Sequence, residues 1–155
     1  MERKIVSPAR KNCGLRIFVI CSLVLVLVSA CGGKKEVKEE TPDAKISKEA
    51  ISIAETVRSA YVEKTFSSIQ WVSTEDAYKA ILNSVKHFDS VELTFTPKWV
   101  EIEKTMVYLN VAWNGTWTVG GETTRERGMA IFLFDGQPLK LSKIIRGSPF
   151  VYPER

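Results

Sequence analysis

The chain has few residues of the kinds that form disulfides or hold metal ions. Its 155 residues include three cysteines and one histidine. Cys13 and Cys21 lie in an N-terminal segment with the character of a removable signal, so Cys31 alone remains and an intramolecular disulfide is excluded. One histidine without cysteine or carboxylate neighbours argues against a zinc site. We therefore predict no metal site and no cofactor.

The body of the chain also lacks an excess of either charge. The formal net charge is +4. Residues 1–30 hold five of the 22 basic residues and one of the 18 acidic ones, which accounts for that whole excess. Residues 31–155 are electrically balanced and offer no basic surface for a phosphate backbone. We therefore predict no nucleic-acid partner.

The apolar run near the start of the chain is too short to cross a bilayer. It covers residues 17–30, IFVICSLVLVLVSA, carries no charge and follows a positively charged segment. A membrane-spanning helix needs roughly 20 apolar residues, whereas the hydrophobic part of a secretion signal needs about 7–15. The pattern predicts a signal peptide over residues 1–30.

The end of that run resembles the lipobox of bacterial lipoproteins. Val28, Ser29 and Ala30 place an aliphatic and two small residues before Cys31, and two glycines follow. The resemblance implies cleavage between Ala30 and Cys31, and attachment of lipid, palmitate included, to Cys31. Gly32 occupies the position where aspartate favours retention in the inner membrane of enteric bacteria. The implied location is the periplasmic face of the outer membrane.

The sequence after Cys31 divides into a polar segment, a domain and a short tail. Residues 31–45 contain many charges of both signs and little apolar surface to bury, which predicts a flexible tether. Residues 46–150 contain regular apolar patterns and form the predicted domain. Residues 151–155 are assigned to a C-terminal tail.

The domain changes from a helical to a strand period along the chain. Three- and four-residue apolar spacing predicts a helix over 48–64, a short helical turn over 66–72, and a helix that begins at Ser73 and stops near Asp89. Alternation then predicts strands over 91–95 (ending by Pro97), 100–102, 106–113 with an extension to Val119, 123–134 and 139–145. Gly120-Gly121 and Asn114-Gly115 are rival turns. We predict an α+β fold, with two to three N-terminal helices on a curved antiparallel sheet of four to six strands.

This order of elements resembles the nuclear transport factor 2-like fold, also called SnoaL-like or cystatin-like α+β. The segments that carry the likeness are AYV at 60–62, FDSV at 88–91, GMAIFLF at 128–134 and the closing DGQPLKLSKII at 135–145. The likeness implies a cone-shaped domain with an apolar pocket at its open end, and it makes a dimer plausible. Family members include isomerases, dehydratases and binding or assembly modules, so the fold does not select a function.

We find no catalytic constellation in the sequence. Glu101 and Glu103 share one strand face, as a pair of catalytic carboxylates would, but a solvated strand face explains them better. His87 fits an exposed helix end, where a positive group is favoured. Asp89 fits a turn.

The aromatic residues are the stronger indication of a binding surface. Trp113 and Trp117 are four residues apart and share a strand face. Core packing is the competing interpretation. The candidates for a pocket or a partner surface are Tyr61, Trp99, Tyr108, Trp113, Trp117 and Phe132.

Three functions stay open at this point. The first is a lipid-anchored cell-envelope protein, whose domain binds a hydrophobic ligand or an envelope partner without catalysis. The second is an isomerase- or dehydratase-like enzyme. The third is a structural subunit of an envelope assembly.

The lipobox assignment predicts that Cys31→Ser abolishes the labelling of the protein by a radioactive or clickable palmitate. The reason is that the thiol of Cys31 is the proposed site of attachment. Labelling of the variant equal to that of the wild-type chain would contradict the assignment.

Overall fold

The computed structural model describes residues 40–153. The predicted signal, its cleavage position and Cys31 lie outside the described residues. Within them are three α-helices, α1 (Pro42–Val62), α2 (Ser67–Val72) and α3 (Glu75–Ser84), followed by four strands, β1 (Ser90–Glu103), β2 (Met106–Val119), β3 (Glu122–Asp135) and β4 (Lys140–Arg146). A short 3-10 helix, Pro149–Val151, follows β4. No helix in this part of the chain is long and apolar enough to cross a membrane.

The four strands form one antiparallel sheet in the order β1-β2-β3-β4. The sheet is open, with β1 and β4 at its edges, and it does not close into a barrel. The α+β class, the helix count and a strand count within the predicted range are confirmed.

The first helix begins earlier than the sequence pattern predicts. It starts at Pro42 and not near Lys48, so residues 42–45 of the segment assigned to the tether are helical. The Oγ1 of Thr41 accepts a hydrogen bond from the amide of Ala44 (3.3 Å), and proline occupies the first helical position. Both features stabilise a helix start.

The last helix ends earlier than predicted, at Ser84 and not near Asp89. Val85 adopts an extended conformation, which stops the helix. Phe88 then lies in the core, with its ring centroid 5.1 Å from that of Tyr61. The chain leaves the helical path because Phe88 is buried against α1.

The strand β1 continues through Pro97, where the sequence pattern ends it. The pairing with β2 shifts between Pro97 and Trp99. Proline cannot donate a backbone hydrogen bond, but β1 is an edge strand and one side of it has no neighbour. The two predicted short strands are therefore one long strand with an irregularity.

The β2–β3 turn forms at Gly120-Gly121 and not at Asn114-Gly115. Both turn glycines have positive φ angles, +57° and +83°, as tight hairpin turns between twisted strands require. Gly115 lies within β2, where the Trp117 indole occupies the space that a β-carbon would fill. The absence of a side chain at Gly115 makes room for the Trp117 ring and does not mark a turn.

The sheet buries one face against the helices. Residues such as Leu109, Val111 and Phe132 are fully buried on this inner face, opposite Ala54 and Val57 of α1. The packed unit also extends past residue 150, because the ring of Tyr152 lies against Trp113 and Trp117 with centroids 5.3 and 5.6 Å apart.

We predict that Gly115→Ala lowers the free energy of unfolding by about 1–3 kcal/mol, because the added methyl group overlaps the Trp117 ring and forces repacking. Urea unfolding at equilibrium measures the change. Gly147→Ala is the control, since its β-carbon would lie at an ordinary 3.4 Å from the Met129 carbonyl oxygen. Equal stability of Gly115→Ala and Gly147→Ala would contradict the packing argument.

Candidate functional site

The interior between helices and sheet is filled by aromatic side chains. Tyr61, on α1, is fully buried. Its hydroxyl donates to the carbonyl oxygen of Tyr152 (3.1 Å) and accepts from the Nε1 of Trp117 (2.9 Å). Burial raises the pKa of Tyr61 to about 12, although the Trp117 hydrogen bond acts in the opposite direction. The phenol is therefore neutral and holds α1, β2 and the C-terminal segment together.

Trp113 is also part of this aromatic interior. Its Nε1 donates to the carbonyl oxygen of Gly147 (2.7 Å), and its ring meets that of Trp117 edge-on at 6.3 Å. Trp113 is 3% exposed, and Phe132 and Trp117 are not exposed at all. Four of the six aromatic candidates, Tyr61, Trp113, Trp117 and Phe132, thus pack in the core. The structure places no open apolar cone around them.

The other two aromatic candidates lie on the opposite side of the sheet. Trp99 is 45% exposed and pairs with Asn110 across the β1–β2 ladder, while Tyr108 pairs with Leu133 across the β2–β3 ladder. Side chains alternate along a strand, so both residues project away from the helices. We call this side of the sheet the outer face, and its apolar centre consists of Trp99, Tyr108, Met129, Ile131, Leu133 and Ile145.

A concave site lies at the end of the domain where α1 begins. This end groove has a volume of about 460 Å³ and runs between the first turns of α1, the β1–β2 turn and the β3–β4 turn. Its apolar walls come from Ile46, Ile102, Val107, Pro138 and Leu139. Charged side chains of both signs stand at its rim: Glu49, Lys104 and Asp135.

A second cavity of similar size, about 450 Å³, lies between α3 and β4. Ala77, Ile81 and Ile144 contribute apolar surface, and Asp76 and Lys143 contribute charges.

The ionisable residues that the sequence singled out do not converge. The His87 ring is exposed, and its Nε2 lies 3.8 Å from Oδ1 of Asp89. Asp89 instead accepts a hydrogen bond from the amide of Gly120 (2.6 Å) and ties the loop after α3 to the β2–β3 turn. Glu101 and Glu103 are exposed at the edge of the outer face.

Within residues 40–153, no carboxylate is buried, and no three histidine, cysteine or acidic residues group as metal ligands. Asn110 and Ser73 are the buried polar residues of this region. The hydroxyl of Ser73 donates to the Ile69 carbonyl (2.6 Å), whereas Oδ1 of Asn110 has no hydrogen-bond partner.

Sequence reasoning did not single out Asn110, although a signal existed. It is the one amide in an otherwise apolar strand, MVYLNVAW. The groove residues carried no comparable signal, because they come from three separate segments that only folding brings together.

Comparisons with protein-family models, curated proteins and solved structures found no significant match to this chain.

We predict that Tyr61→Phe lowers the free energy of unfolding by about 1–3 kcal/mol at neutral pH, because it leaves the Trp117 N–H buried without an acceptor. The difference in the free energy of unfolding between Tyr61→Phe and the wild-type chain should narrow between pH 10 and 12. In that window the unfolded wild-type chain loses the Tyr61 proton while the folded chain keeps it, which favours unfolding.

Urea unfolding at pH 8 and pH 11 measures both effects. Tyr78→Phe is the control, because the Tyr78 side chain is only partly buried on α3, and its difference from wild type should stay small at both pH values. If Tyr61→Phe and the wild-type chain differed by the same free energy of unfolding at pH 8 and pH 11, the result would argue against a neutral, hydrogen-bonded phenol in the core.

Proposed function

We propose that this chain is a lipid-anchored cell-envelope protein, held at the periplasmic face of the outer membrane through Cys31. Its α+β domain, of nuclear transport factor 2-like type, binds a hydrophobic ligand in the end groove without catalysis. The observation that carries the ligand site is a groove of about 460 Å³ with apolar walls and only a rim of charge. Ligand sites in proteins are concave, mostly apolar, and about 300–1,000 Å³ in volume.

The charged residues at the rim of the end groove indicate which class of ligand it can bind. Glu49 and Asp135 carry negative charge, and Lys104 carries the single positive charge of the groove lining. A net negative rim disfavours an anionic head group. The proposed ligand therefore combines an apolar body with an uncharged or zwitterionic polar end.

The position of the groove suits an anchored protein. Ile46 lies one turn into α1, close to where the described chain begins. Ten peptide units connect Cys31 to Thr41, and such a segment extends at most about 35 Å. A lipid anchor at Cys31 would keep the start of α1 within that distance of its attachment point.

Binding accounts for the described site better than the enzymatic alternative does. The aromatic rings fill the interior, where an isomerase or dehydratase of this fold would hold a base. The titratable groups of the groove lie at its rim and are exposed, and a carboxylate needs burial to raise its pKa toward neutrality. The third function, a part in an assembly, is favoured by the outer face, which presents Trp99 and Met129 at 45% and 43% exposure.

The groove is tested with N-phenyl-1-naphthylamine, an uncharged apolar fluorophore, and the chain starting at Gly32. We predict saturable binding that Ile46→Gln or Leu139→Gln weakens about tenfold, since each change removes apolar contact worth roughly 1–2 kcal/mol. Fluorescence titration gives the dissociation constants.

Leu82→Gln is the matched control, because Leu82 is exposed on α3 and is not part of the groove. Its affinity should equal that of the wild-type chain. The groove is not the ligand site if all three variants bind the probe equally, or if the wild-type chain binds none. Circular dichroism establishes that each variant is folded.

A further inference from the structure

The strand β4 is an edge of the sheet whose second side is paired only where it begins. Ser73 forms an isolated parallel bridge with Leu141, and the amide of Thr74 donates to the Leu141 carbonyl oxygen (2.8 Å). The chain then turns into α3, for which Thr74 is the N-cap. Within the described part of the chain, no backbone hydrogen bond reaches residues 142–146 from the side away from β3. Such an edge presents unpaired N–H and C=O groups to another extended chain.

The second cavity lies directly beside this unpaired edge. It has a volume of about 450 Å³ and is bounded by α3 on one side and β4 on the other. Ala77, Ala80 and Ser84 all line it, and their three- and four-residue spacing places them on one face of α3. Because these side chains are small, α3 leaves room beside β4 that larger side chains would fill.

The lining of the second cavity combines apolar surface with charges of both signs. Ile81, Ile144 and Val151 contribute the larger apolar side chains. Asp76, in the first turn of α3, and Lys143, on β4, contribute opposite charges, and no ion pair joins them within residues 40–153. The lining therefore complements a chain that carries an apolar side chain together with basic and acidic ones.

We propose that the second cavity binds an extended peptide segment of another protein, which adds one strand to β4 where Ser73 leaves the edge. The backbone of this segment pairs with β4. Its side chains on one face contact Ile81 and Ile144, while a basic and an acidic residue meet Asp76 and Lys143. In strand addition of this kind, main-chain hydrogen bonds give affinity and pockets for alternate side chains give specificity.

The unpaired strand edge is the reason to infer a peptide and not a small apolar ligand. Residues 142–146 extend over about 16 Å at about 3.3 Å per residue, the length of a five-residue strand. A peptide matches such a row of backbone donors and acceptors residue by residue. The other edge strand, β1, is less suited, because Pro97 has no N–H and the Arg58 guanidinium donates to the Leu93 carbonyl oxygen (3.1 Å).

The test begins with a displayed library of random heptapeptides, selected against the chain starting at Gly32. We expect selected peptides to bind saturably, as measured by fluorescence polarisation of labelled copies. Ala80→Leu should weaken their binding at least tenfold, because the larger side chain occupies the space beside β4. A selection that yields no binding peptide would overturn the proposal.

Asn83→Leu is the matched control for Ala80→Leu. Asn83 is exposed on the same helix and is not part of the second cavity, so this variant should bind the peptides like the wild-type chain. Equal affinity of the two variants for the peptides would place binding elsewhere and overturn the proposal. Circular dichroism establishes that both variants are folded.

Methylation of the peptide's own amides tests whether it binds as a strand. Alternate amides of a strand point to the same side, so N-methylation at every second residue should weaken binding at least tenfold. N-methylation at the intervening residues should change the affinity little. Equal effects at neighbouring positions would contradict strand addition.

The N-terminal segment of this chain is the competing occupant. If residues 32–39 filled the second cavity, a chain starting at Glu40 would bind the selected peptides manyfold more tightly than the chain starting at Gly32. We expect equal affinities. Tighter binding by the shorter chain would assign the cavity to that segment and overturn the proposal of a separate partner.

These outcomes are independent of the end groove. Ala80→Leu should leave the binding of N-phenyl-1-naphthylamine unchanged, and Ile46→Gln should leave the binding of the peptides unchanged, because the two sites share no residue. Either proposal can fail while the other holds.

Discussion

The hydrogen bond between the Trp117 indole and the Tyr61 hydroxyl is the contact on which the rest of the domain depends. It joins the end of the central strand β2 to the first helix, and the Tyr61 hydroxyl also donates to the backbone carbonyl of Tyr152. Aromatic rings from α1, the loop after α3 and the C-terminal segment pack around it. Because two polar groups satisfy each other inside an apolar cluster, the interior can be filled without a buried unpaired donor.

Because aromatic side chains fill the interior, the candidate binding sites lie on the surface of the domain. Tyr61, Trp117 and Phe132 are fully buried between the helices and the sheet, where the predicted cone would have its pocket. The end groove lies where turns and the start of α1 leave a gap, and a second cavity lies between α3 and β4. The outer face is the other consequence, since four strands with helices on one side leave their second side uncovered.

The end groove and the outer face lie on different parts of the domain. The end groove lies by the start of α1, toward the predicted anchor in the sequence. The outer face spans the strands and includes neither groove wall nor rim, except Asp135 at its margin.

Elements with strong local signals were predictable from the sequence. The start of α3, predicted at Ser73 and found with Thr74 as its N-cap, and the turn at Gly120-Gly121, one of two predicted rivals, each depend on a few neighbouring residues. The interrupted strand at Pro97 was not predictable, because proline is compatible with β1 only at the sheet edge. Likewise, Asn114-Gly115 is a good hairpin sequence, and only the Trp117 ring shows why the strand continues there.

By itself the sequence determined the α+β class and the order of helices and strands, and it predicted an export signal over residues 1–30, directly before Cys31. These depend on periodicity and on short motifs, which act over a few residues. Only the tertiary structure decided that four of the six candidate aromatics form the core while Trp99 and Tyr108 face outward. Only the tertiary structure, likewise, brought the residues of the end groove together and placed Asn110 in a buried position. The physical reason is that the burial of a strand residue depends on what covers each sheet face, and residues distant in the chain supply that cover.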